Sequence, residues 1–114
     1  MSAGSYDITC EQGTTFSRTF TVKDSSGTAR NLSAYTARMQ VRRTQSSSST
    51  IIELTTENGR ISLNSSGQVA LSISASDTAG LSDDGVYDLE LISSGGAVER
   101  LVEGNFTLDL EVTR

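Results

Sequence analysis

The sequence contains no histidine, no tryptophan and no proline, and Cys10 is its single cysteine. Lacking histidine, the chain is without the commonest general base and the usual imidazole ligand for zinc, and one cysteine can form no internal disulfide. No run approaches the roughly eighteen apolar residues a membrane-crossing helix needs, and no basic segment followed by an apolar stretch opens the chain. Positive charge is scarce as well: nine Lys and Arg face fourteen Asp and Glu, a net charge of −5. That balance disfavours nonspecific nucleic-acid binding, which needs a basic surface to meet the phosphates. The expectation is a soluble chain made in a cytoplasm, and a lone cysteine does not fix the redox compartment.

What is present is pattern. With 35% apolar and 20% charged residues in 114, the chain falls with folded single domains rather than disordered segments. Met1 to Ser5 is small and polar and reads as a flexible N-terminus; residues 6–114 read as one domain. Tyr6 to Glu11 is a first short strand, closed by Gly13. Thr14 to Lys23 alternates, with Phe16, Phe20 and Val22 on one face and Arg18 sharing their parity. Arg18 is placed at a sheet margin, its guanidinium reaching water, rather than against a carboxylate. Asp24 to Gly27 has turn composition.

Thr36 to Arg43 alternates again, Ala37, Met39 and Val41 inward and Arg38, Gln40 and Arg42 outward. Ser46 to Ser49 reads as a hairpin loop. Three strands follow, at Ile51 to Thr55, Arg60 to Leu63 and Gln68 to Ser74. Asn58-Gly59 between the first two carries the signature of a type I′ hairpin, in which both central residues have positive φ. Ser74 to Leu81 breaks the period and predicts at most one short helix, capped by Ser76 or Asp77 and ended by Gly80.

From Val86 the chain reads as three consecutive strands joined by Gly95-Gly96 and by Gly104. The first buries Tyr87, Leu89 and Leu91 and exposes Asp88 and Glu90. The last places Phe106, Leu108, Leu110 and Val112 on its buried face. About nine short strands with turn signals at regular spacing and no βαβ unit define an all-β sandwich or barrel. Without proline, the sheet edges must be guarded by charges or by a partner strand.

No constellation announces a reaction. Asp83-Asp84-Gly85 lacks the ligand series and closing glutamate of a calcium loop and reads as a tight turn. Asp88, Glu90, Asp109 and Glu111 alternate with core positions and so lie on solvated faces, not as a glycosidase pair. Three Asn-X-Ser/Thr triplets, at Asn31, Asn64 and Asn105, match only the weak glycosylation pattern. Phosphate-loop, dinucleotide and nucleophile-elbow motifs are absent. Cys10 follows Ile8 by two positions and reads as a small core residue, with no neighbouring cation in sequence to activate it. No enzyme activity, metal or cofactor is expected. The row of arginines at Arg38, Arg42 and Arg43 is either a docking surface for an acidic partner or an ordinary solvated face.

Five segments in order carry a further likeness: Glu11 to Arg43, "NGRISL" at Asn58 to Leu63, "GQVALSISASDTAGL" at Gly67 to Leu81, "VYDLEL" at Val86 to Leu91, and "VERLVEGNFTLDLEVTR" at Val98 to Arg114. This set, spanning nearly the whole chain, resembles small tailed-bacteriophage structural proteins of the tail tip, baseplate and fibre attachment, and is similar to the N-terminal module of baseplate upper proteins. The resemblance implies an immunoglobulin-like antiparallel β-sandwich of about eight or nine strands. It implies a noncatalytic virion protein in symmetric multiple copies, assembled in the host cytoplasm and contacting other tail, baseplate or fibre proteins, with no nucleic acid or membrane as partner. Baseplate upper proteins continue into a receptor-binding part and this chain stops at Arg114, so an adaptor is expected, with Arg38, Arg42 and Arg43 as one contact surface. A capsid decoration protein and a host-carbohydrate-binding module are the alternatives.

Overall fold

In a computed structural model the chain is described over residues 4–113. Nine strands and one short helix follow in order: β1 (Gly4–Ser5), β2 (Ile8–Glu11), β3 (Phe16–Thr21), β4 (Thr36–Arg42), β5 (Ile52–Thr55), β6 (Ile61–Leu63), β7 (Gln68–Ile73), α1 (Ala75–Ala79), β8 (Gly85–Ile92) and β9 (Val98–Asp109). They build two sheets. The larger runs β1-β9-β8-β4-β5, with β2 also on β9, and the smaller runs β3-β7-β6. All pairings are antiparallel except those of β1 and β2, which lie parallel to β9.

Alternation at period two explains the packing. Ile8 and Cys10 from β2, Met39 and Val41 from β4, Leu89 and Leu91 from β8 and Phe106 from β9 face Phe16, Val69, Leu71 and Ile73 of the smaller sheet, all buried. Each fully buried aliphatic or aromatic side chain contributes about 1.5–3 kcal/mol, so the two inner faces supply most of the stabilisation. Cys10 is part of this core, and burial pushes its thiol pKa up.

Polar clamps close the ends. The Thr78 hydroxyl, fully buried, donates to the Thr14 carbonyl at 2.7 Å and accepts from the Gly13 amide at 3.0 Å, tying α1 to the β2–β3 turn. Gln12 donates to the Leu81 carbonyl at 2.8 Å and accepts from the Glu111 amide at 3.0 Å. Arg30 pairs with Glu99 at 3.1 Å and reaches the Tyr35 hydroxyl, linking the β3–β4 connection to β9. The Tyr87 hydroxyl donates to the Tyr6 carbonyl between β1 and β2.

Several expectations are corrected. Asn58-Gly59 makes no hairpin: β5 and β6 belong to different sheets, and Gly59 alone has positive φ. The Asn58 amide shapes that crossing, accepting from the Thr55 and Arg60 amides and donating to the Glu53 carbonyl. Ser74, not Ser76 or Asp77, caps α1, its hydroxyl accepting from the Asp77 amide. Gly104 is no turn, since β9 runs straight through it. A side chain there would strike the Tyr6 carbonyl oxygen at 2.2 Å, which is why the position is glycine. Leu110 and Val112 are 64% and 93% exposed, because β9 ends at Asp109, beyond the reach of the facing sheet. Of the supposedly flexible N-terminus, Gly4 and Ser5 form β1, and residues 1–3 lie outside the described residues.

Candidate interaction surface

The outer face of the larger sheet is a broad polar surface. β4 contributes Arg38, Gln40 and Arg42, whose parity opposite Met39 and Val41 forces them outward; β8 contributes Asp88 and Glu90, β5 Glu53, and β9 Arg100 and Glu103. They line a concavity of about 760 Å³. The register sets Arg38 beside Glu90 and Gln40 beside Asp88 on one flank and Glu53 on the other.

A β-bulge completes this face. The register between β8 and β9 shifts by one residue between Leu89 and Glu90, pairing Leu89 with Val102 and Glu90 with Arg100 and leaving Leu101 as the extra residue. Arg100 and Glu103, three apart, thereby both point outward, which strict alternation forbids.

Charges are paired across the strands. Arg38 Nε meets Glu90 Oε1 at 2.8 Å, and Arg100 lies 3.4 Å from both Asp88 and Glu103. Arg42 donates to the Gln40 side chain and to the Ser47 carbonyl, each at 2.8 Å, and Gln40 donates to Glu53 at 2.6 Å. Partial burial, reinforced by the Glu90 charge and opposed by Arg100, raises the Asp88 pKa above the ordinary carboxylate value.

The expected basic face is therefore corrected in two respects. Arg38 and Arg42 do lie together on it, but the face holds three arginines and four carboxylates: the basic row of β4 is bracketed by acidic rows from its neighbours. Arg43 is not part of it. It follows the last residue of β4 with opposite parity and pairs with Asp83 at 2.9 Å. Sequence reading missed Arg100 and Glu103, whose common face depends on the bulge. Asp88 and Glu90 were legible as outward residues, but not as neighbours of the arginines, and Glu53 was placed only within a strand.

Among the described residues no cluster of His, Cys, Asp and Glu has the geometry of a metal site, and no helix is long and apolar enough to cross a membrane. Arg18 lies at the mouth between the sheets. Its guanidinium sits 5.2 Å over the Phe16 ring and reaches the Thr9 carbonyl at 3.4 Å, while its Nε is buried with no hydrogen-bond partner among the described residues.

No family model matches the sequence, and no curated protein matches it. Among solved structures the chain is similar to the extracellular domain of the voltage-gated sodium channel β4 subunit, whose parallel homodimers are described as explaining its role in cell–cell adhesion. The TM-score is 0.51 at 14% identity, over 98% of each chain. The likeness is one of fold: this chain is an immunoglobulin-like β-sandwich. Its single cysteine leaves it without the inter-sheet disulfide of antibody domains.

Proposed function

We propose that this protein is a noncatalytic structural module of a bacteriophage virion, an adaptor that joins the tail or baseplate to fibres or receptor-binding parts. The observation that carries the reading is the pre-ordered charged face of β5, β4, β8 and β9, together with the ordered sequence segments that resemble tail and baseplate proteins. Charges already paired across neighbouring strands form a firm, wide, polar platform, suited to a repeating protein contact. Such a platform selects partners and fixes register more than it supplies raw affinity. Among the described residues the only aromatic one lining it is Tyr87, which is buried, so it offers no stacking plate for a sugar.

The adaptor role is tested by quantitative mass spectrometry on particles separated into heads and tails. A tail location at tens of copies or fewer is the expected result. Hundreds of copies on heads would replace the adaptor with a decoration protein, and absence from particles would remove the virion reading. Binding of the isolated protein to host glycans would favour a carbohydrate-binding module instead. Arg38→Glu with Arg42→Glu tests the face itself. These side chains are at least partly exposed, so the variant is expected to fold and to fail to incorporate; normal incorporation would remove the face from the assembly contacts.

A further inference from the structure

The sandwich leaves four sheet edges, and they are not equally protected. On β5, Thr56 donates to the Ala37 carbonyl, so Glu53 and Thr55 carry the outward backbone groups. The Glu53 carbonyl is capped by Asn58 and Arg60 at 3.0 and 2.9 Å, and the Thr55 amide by Asn58 at 3.0 Å. β6 has only three residues. The edge of β1 and β2 is broken at Tyr6 and Asp7. β3 differs from all of these: it has six residues, pairs only with β7 among the described residues, and has no bulge, proline or charged residue among its outward side chains, its one charge, Arg18, lying on the inward face.

Its hydrogen-bonding groups without a partner among the described residues can be assigned. Val22 donates to the Gly67 carbonyl in line with the register that pairs Phe16 with Ile73, so the even-numbered residues bond to β7. Across β7, Ser72 donates to the Arg60 carbonyl, which fixes the same alternation from the other side. The amides and carbonyls of Ser17, Thr19 and Thr21 therefore point out of the sheet, and their side chains are short, hydroxylated and exposed. A flat, uncharged row of this kind is a template for another strand.

We infer that two copies of this chain pair antiparallel through β3, with Thr19 on the twofold axis, to join their smaller sheets into one six-stranded sheet. In this register Thr19 meets Thr19 of the other copy and Ser17 meets Thr21, each as a hydrogen-bonded pair, so every outward group of the three residues is used. Arg18 falls opposite Phe20, which adds a second ring to the one it already covers. Sliding two residues one way sets Arg18 against Arg18, a like-charge pair. Sliding the other way leaves Ser17 without a partner inside the strand. The twofold contact is self-complementary and closed, so it yields a dimer and not a fibre.

This inference concerns the isolated chain and stands whether or not the virion reading holds. The test is sedimentation equilibrium on the purified full chain, where the expected particle has twice the 12.1 kDa chain mass. Thr19→Pro removes an amide that has no partner among the described residues of the single copy, and an edge strand accepts proline where the amide faces solvent, so the fold is retained, whereas the dimer loses both bonds of its central pair. At ordinary net strength that raises the dissociation constant about thirtyfold or more. Thr19→Lys, which sets two ammonium groups on the axis, weakens the dimer without touching the backbone. A monomer at concentrations up to about 1 mM, or a dimer that both variants leave intact while folded, would overturn the pairing.

Discussion

Replacing Gly104 by alanine places a methyl group 2.2 Å from the Tyr6 carbonyl oxygen and 2.9 Å from Asp7 Oδ1. Backbone fills most of that space, so the chain at Tyr6 and Asp7 must retreat by about 1 Å to reach ordinary contact distance. Three hydrogen bonds converge there: the Tyr6 amide to the Glu103 carbonyl at 2.9 Å, the Tyr87 hydroxyl to the Tyr6 carbonyl, and the Asn105 amide to Asp7 Oδ1 at 2.9 Å. At about 1 kcal/mol net each their loss costs about 3 kcal/mol. Reduced freedom of the unfolded chain returns about 0.5–1 kcal/mol. The net destabilisation is about 2 kcal/mol, a drop in melting temperature of roughly 6–12 °C for a domain of this size. Gly95→Ala is the matched control, because its nearest atom is the Ser93 hydroxyl at 3.9 Å. Thermal melts of the two variants read the difference, and hydrogen exchange at Ile8–Glu11 reads its location. A Gly104→Ala melt within about 2 °C of the parent would refute the reasoning that this glycine is held by the crossing of β1 and β2.

Three further outcomes are expected. Cys10, buried and with its thiol pKa raised by burial, should resist a thiol reagent in the native protein and react promptly in denaturant; fast native labelling would show that β2 opens readily. Asp88 and Asp77 should give opposite pH signatures in chemical denaturation. The Asp88 pKa is raised in the fold, chiefly by burial, so its ionisation costs stability as pH rises. Asp88→Asn should thus gain on the parent above the folded pKa and lose that gain on acidification. Asp77 is lowered by Arg60 and Ser74, so its contribution is present above the ordinary carboxylate pKa and fades as pH falls through the folded one. Asp77→Asn should therefore be weaker near neutrality and converge with the parent in acid; matching profiles for the two variants would contradict these environments. Leu110→Ser with Val112→Ser should shift stability by less than about 0.5 kcal/mol, as for exposed positions, and a larger loss would mean that the end of the chain packs on the core.

The last of these shows where reading the sequence stops. Phe106, Leu108, Leu110 and Val112 are equivalent in pattern, yet only the first two meet the facing sheet. Asn58-Gly59 likewise has the composition of a hairpin, but the chain changes sheets there, and which sheet a strand joins is set by core contacts distant in sequence. Thr78 and Gln12 gave no periodic signal at all, because their roles come from partners more than sixty residues away. On the candidate surface, Arg38 and Arg42 were legible from parity. The pairing of Arg38 with Glu90, the hydrogen bonds of Arg42 to Gln40 and the Ser47 carbonyl, and the arrival of Arg100 and Glu103 were not.

By itself the sequence determined the class of fold, most of the strands and the inward residues of each, because side-chain direction alternates locally and burial of one face is enforced strand by strand. It also determined what chemistry the chain has no residues for, such as imidazole catalysis and an internal disulfide. The tertiary structure alone decided the parallel placement of β1 and β2, the bulge that aligns Arg100 with Glu103, the capping of β5 and the bare edge of β3. Each of these depends on strand order and register, which arise from contacts between segments far apart in the chain and leave no periodic trace within any one of them.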